Sequence, residues 1–108
     1  MISKELLSEV LDREITVIAN QGGTSIFNYR TSESPNHINS INIYELAHKC
    51  KEWAFKNDYE IETTYSGDVR ISKNSTSMIV NSQLGLEDMT EPEAIFKACE
   101  WILEQRNG

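Results

Sequence analysis

Ile41-Asn42-Ile43-Tyr44-Glu45-Leu46-Ala47-His48-Lys49-Cys50-Lys51-Glu52-Trp53-Ala54-Phe55-Lys56 carries the pattern that decides the fold. Asn42 stands where a helix N-cap belongs, Glu45 follows as its capping-box partner, and Ile41 is placed to staple onto Leu46. The spacing predicts a helix from about Ile43 to Lys56, stopped by Asn57-Asp58. At about 100° per residue, Ile43, Leu46, Ala47, Cys50, Trp53 and Ala54 share a stripe about 120° wide, the width of a core-facing helix. Cys50 lies at its centre. Glu45, Lys49, Glu52 and Lys56 gather on a solvated face, with Glu first in both i,i+4 pairs. The remaining strip holds Tyr44, His48, Lys51 and Phe55, centred about 130° from the core stripe, where packing does not require large aromatic residues. Two readings stay open for it. Either the N-terminal helix or the loop around His37 folds over it, or it is a partner-binding strip.

A second helix echoes the first: Lys49-Cys50-Lys51-Glu52-Trp53 against Lys97-Ala98-Cys99-Glu100-Trp101. Thr90 caps it, Glu93 completes the box, and Pro92 is tolerated in the first turn. Ile95, Phe96, Ala98, Cys99, Ile102 and Leu103 form an apolar face of about 160°. Trp101 falls outside that face. Cys50 and Trp53 are three apart and share a stripe, whereas Cys99 and Trp101 are two apart and point in opposing directions. Trp101 is therefore expected at a margin, near Ala94 and Gln105, covered by a neighbouring element or used in a subunit or partner contact.

Working outward, Ser3 caps a short helix over residues 4–12 with Leu6, Leu7, Val10 and Leu11 on one face. Residues 15–20 and 24–30 are rich in β-branched and aromatic types, and Asn20-Gln21-Gly22-Gly23 supplies a hairpin turn. Residues 31–40 are polar, contain Pro35 and read as a long surface loop. Residues 59–65, 69–73 and 76–82 read as an antiparallel meander. The order is αββαβββα. This is an α+β class chain, with an antiparallel sheet of about five strands packed with helices in one domain over residues 1–108.

Hydrophobic residues make up 39% and charged residues 25% of the 108 residues, an ordinary globular balance. The net charge of −7, with ten scattered Lys and Arg, opposes approach to phosphate backbones, so no direct nucleic-acid binding is expected. No apolar run has membrane-spanning length and the N-terminus lacks a signal-peptide pattern, so a cytoplasmic protein without membrane contact is expected. The two cysteines read as free thiols. His48 and Cys50 look paired in print but point apart on a helix, and neither CxxC nor HxxxH spacing occurs. Gly22-Gly23 lacks the further glycines and helix of a phosphate loop. No catalytic residue, metal ligand or cofactor is assigned. Glu87, Asp88, Glu91 and Glu93 form the densest acidic patch. They read first as helix-cap and dipole partners, and alternatively as ligands or a mimic of nucleic-acid charge.

The segment Ile41 to Ala54 and the segment Thr90-Glu91-Pro92-Glu93-Ala94-Ile95-Phe96-Lys97-Ala98-Cys99-Glu100-Trp101-Ile102-Leu103 resemble parts of small bacteriophage or prophage proteins. The layout, with an N-terminal helix, strands, a middle helix, more strands and a closing helix after an acidic-Pro turn, is similar to the phage ABA sandwich domain. The resemblance covers mainly residues 41–56 and 90–104 and brings no catalytic residues. With the absent catalytic spacing, and with Tyr44, His48, Phe55 and Trp101 off the core stripes, the expectation is a non-enzymatic accessory protein acting on an unknown protein partner. An acidic inhibitor of a host defence system is the alternative, and a Cys-dependent enzyme through Cys50 or Cys99 is the third reading.

Overall fold

The computed structural model describes residues 2–20, 25–64, 68–84 and 90–108. Helix α1 (Lys4–Leu11) begins where the Ser3 hydroxyl accepts from the Leu6 N–H, and stops at Asp12, whose left-handed backbone (φ 54°) turns its N–H back to the last carbonyls. Strands β1 (Ile15–Asn20), β2 (Ile26–Thr31) and β3 (Asn39–Asn42) follow. Helix α2 (Ile43–Lys56) starts directly from β3, with the Asn42 side chain accepting from the Tyr44 and Glu45 N–H groups. Strands β4 (Tyr59–Thr63), β5 (Val69–Lys73) and β6 (Met78–Asn81) lead to α3 (Glu91–Asn107). Thr90 caps α3 by accepting from the Glu93 N–H, and its hydroxyl donates to Glu93 Oε1 at 3.0 Å.

The α+β class holds, but the described residues contain six strands in two three-stranded antiparallel sheets, β1-β2-β3 and β4-β5-β6. The expected single sheet of about five strands, in the order αββαβββα, is corrected to αβββαβββα. The added strand is β3, which lies at the end of the stretch read as loop. It is four residues long, and only Ile41 of Asn39-Ser40-Ile41-Asn42 is buried. Its pairing is set by β2, with Ile41 opposite Phe27, and this tertiary partner leaves no local periodicity. Because α2 departs at the end of β3, the chain leaves the first sheet there, and the second meander forms a sheet of its own.

The two sheets and three helices share one apolar core. Phe27, Tyr29 and Ile41 enter it from the first sheet, Ile61, Val69 and Ile71 from the second, and Leu6, Leu46, Cys50 and Ile102 from the helices. Ile61 and Ile71 are opposite each other across β4 and β5, so the alternation of that hairpin directs one row inward. α3 lies over β4 and β5 and packs along α2. Cys50 and Cys99 meet there, with Cys99 Sγ 3.4 Å from the Cys50 carbonyl oxygen. Ala47 and Ala54 of α2 and Ala94 and Ala98 of α3 are buried as well, and side chains this small permit close packing of helices.

Polar contacts tie α1 to the other two helices. Glu9 accepts from Trp53 Nε1 at 3.2 Å and forms a two-pronged ion pair with Arg106, whose guanidinium lies 5.9 Å from the Trp53 ring centre. Ser3 donates to Glu100 and Asn107 to Glu5. Among the described residues no helix is long and apolar enough to cross a membrane.

Candidate interaction surface

The cap at Asn42 fixes the start of α2, and the helical repeat then orients the strip of Tyr44, His48, Lys51 and Phe55. Spacings of four, three and four residues align these side chains along roughly 16 Å of helix. The opposite stripe, Leu46, Ala47, Cys50, Trp53 and Ala54, is buried against α1, α3, β3 and β4. The strip is left facing outward. Tyr44 and Phe55 are each 65% exposed, and His48 and Lys51 are exposed between them. The expected cover does not form: α1 is held on the Trp53 side by Glu9, and His37 lies in an exposed stretch.

Charge on this face is local. His48 Nε2 stands 3.4 Å from Glu52 Oε1, both side chains exposed, in place of the Glu52–Lys56 pair that the spacing suggested. His48 and Cys50 point apart as the helical angle requires, one into solvent and the other into the core.

Trp101 stands apart from the strip. It is half-buried and meets Tyr59 edge-on, with ring centres 6.2 Å apart and planes at 86°. Lys73 Nζ sits 5.2 Å from the centre of the Tyr59 ring. The neighbouring element expected to cover Trp101 is thus β4, and the cover is partial. Tyr44, Phe55 and Trp101 all lie off their core stripes, but angle on a helix does not say which neighbour is near.

Of the acidic patch, Glu87 and Asp88 lie outside the described residues. Glu91 and Glu93 are exposed in the first turn of α3, where Glu93 is bonded to the Thr90 cap. Their geometry serves the helix end, where carboxylates favour the positive pole of the macrodipole.

No family model, curated protein or solved structure matches this chain. The chemistry of its groups has to be read from the geometry alone. Among the described residues no three His, Cys, Asp or Glu side chains converge as a metal site. Both thiols are buried, and Cys99 is pushed well above the usual thiol range by its hydrogen bond with Cys50 and by burial. A shallow depression of about 380 Å³ runs along Ile79, Val80, Asn81, Ser82 and Gln83, a single continuous segment. Among the described residues it brings no groups together from different elements.

Two features escaped the sequence reading. The Glu9–Arg106–Trp53 cluster joins residues from three helices, and only the Trp on a buried stripe hinted that its indole N–H would need an acceptor. The exposure of Met78, Ile79 and Val80 was also missed. These three residues read only as part of the meander, and whether they are covered depends on strand order, which the sequence does not give.

Proposed function

We propose that this protein acts by binding another protein through the outer strip of α2, and that it works without a catalytic centre of its own. The observation that carries this reading is the pair Tyr44 and Phe55, each 65% exposed on one face of a helix whose other face is locked in the core. Aromatic side chains on a rigid support supply large contact area at little cost in conformational entropy, and they are enriched where interfaces concentrate their energy. His48 and Lys51 between them provide polar contacts. The resemblance of the α2 and α3 segments to phage and prophage proteins supports an accessory role of that kind.

The acidic-mimic reading has less support, since the Glu93 carboxylate is bonded within the cap of α3. A thiol-based activity is disfavoured by the burial of both cysteines.

The test is a double substitution, Tyr44→Ala with Phe55→Ala. Both side chains are mostly exposed, so the variant is expected to keep its circular dichroism spectrum and to lose no more than about 1 kcal/mol of stability. Proteins recovered with the tagged wild type from a host lysate, and bound directly once purified, are expected to bind at least about tenfold more weakly to the variant, as loss of central aromatic anchors requires. A variant that unfolds, or one that binds the same partner unchanged, overturns the reading.

A further inference from the structure

β6 has the composition of an interior strand in the position of an outer one. Among the described residues it is bonded to β5 on one side only, in the order β4-β5-β6, and α3 covers β4 and β5. Met78, Ile79 and Val80 are 66%, 54% and 41% exposed, so apolar side chains emerge on both faces of the strand. We propose that a second copy of this chain pairs with β6 edge to edge, antiparallel about a two-fold axis, joining the two β4-β5-β6 sheets into one sheet of six strands.

Three observations select a second copy. First, the edge carries neither of the chemical blocks to strand addition, charge and Pro: residues 74–86 contain no Asp, Glu, Lys, Arg or Pro, and the strand's one irregularity is a bulge at Val80 in its pairing with β5. The other outer strands are protected. β4 presents the exposed carboxylates Glu60 and Glu62, β3 exposes Ser40 and Asn42, and β1 has Lys4 of α1 donating to its Thr16 carbonyl.

Second, each copy carries a net charge of −7, so contact between copies is least opposed at a surface free of carboxylates. β6 provides such a surface. Third, the strand is complementary to itself. Antiparallel pairing centred on Ile79 sets Ile79 against its own counterpart and Met78 against Val80, giving three apolar cross-strand pairs of the kind that stabilise sheets. The pairing also adds a second hydrogen-bonded ladder to β6 and makes it the central strand that its composition describes.

The contact is small. Four residues of strand pairing bury less than the roughly 1,200 Å² of a standard interface, so the dimer is expected to dissociate on dilution through the micromolar range. Raising the salt concentration should strengthen it by screening repulsion between the copies. The inference goes beyond the α2 reading and does not depend on it.

Sedimentation velocity on the full chain from about 1 µM to about 1 mM tests the pairing across the range expected for a small interface. The average mass should rise from 12.3 kDa toward twice that value with concentration. Ile79→Lys and, separately, Val80→Lys should hold the protein at monomer mass throughout, with the circular dichroism spectrum unchanged. Tyr44→Ala with Phe55→Ala should leave the mass curve as in the wild type. As a measurement that needs no loss of function, Ile79→Cys should be joined to its counterpart by a short bismaleimide, while Glu60→Cys should not. A monomer at every concentration overturns the proposal, and would leave the edge to an extended segment of another protein. So would a dimer that survives both lysine variants, or one lost only when Tyr44 and Phe55 are replaced.

Discussion

At Trp53 the indole ring is buried on the core stripe of α2 while its N–H reaches Glu9 and the Arg106 guanidinium lies against its face. The Arg106 hydrogen bonds hold the Glu9 carboxyl below the usual carboxylate value of 4.5, with the Trp53 bond adding to the effect and partial burial opposing it. A carboxyl whose value is lowered on folding contributes stability above its unfolded value, and that contribution is lost as the pH falls through the lowered folded value. Because Glu9 and Arg106 are about a third exposed, the contribution is expected to stay under about 1 kcal/mol. Urea unfolding of Glu9→Gln at pH 7 and pH 3 should therefore show a smaller loss of stability on acidification than the wild type. An equal loss would mean that other carboxylates carry the acid sensitivity. Cys50 and Cys99 give a second residue-scale expectation. With both thiols buried and Cys99 held protonated, iodoacetamide at pH 8 should label them far more slowly in the native protein than in urea. Rapid native labelling would reopen a thiol-based activity.

Among the elements, α2 was legible because every local signal agrees: the Asn42 cap, the stripe centred on Cys50 and the stop at Asn57. Replacing Asn42 with Ala removes the acceptor for two N–H groups and is expected to cost about 1 kcal/mol, read as a lowered unfolding midpoint with no change in slope. The outward direction of Tyr44 and Phe55 could be read from the same repeat. Whether anything covered them could not, because that depends on where α1 and the His37 stretch pack. β3 was illegible for a related reason: Asn39-Ser40-Ile41-Asn42 is a strand only because Phe27 of β2 stands opposite Ile41. β6 inverts the problem. Met78-Ile79-Val80 reads as strand, but an apolar run reads the same in the middle of a sheet as at its edge, and only the pairing order of the strands separates the two.

Across the whole molecule, the separation into two sheets raises the question of how many units unfold. Among the described residues the sheets share no ladder, yet Phe27 and Tyr29 of the first and Ile61 and Ile71 of the second belong to one core, bridged by α2, which packs on both β3 and β4. A shared core makes the inner faces of both sheets depend on α2, so losing either exposes apolar surface that the other needs covered. Phe27→Ala in the first sheet and Ile71→Ala in the second should then each destabilise the protein by about 2–5 kcal/mol, the range for truncating a buried side chain. More decisively, both should shift one common transition. Followed by Trp fluorescence, which reports α2 and α3 through Trp53 and Trp101, and by far-ultraviolet circular dichroism, the unfolding curves should coincide in the wild type and in both variants. If Phe27→Ala instead splits the curves, leaving the fluorescence transition in place while part of the dichroism melts early, the first sheet is a separate folding unit. The core would then be continuous in space without being cooperative, and α2 would owe its stability mainly to β4 and α3.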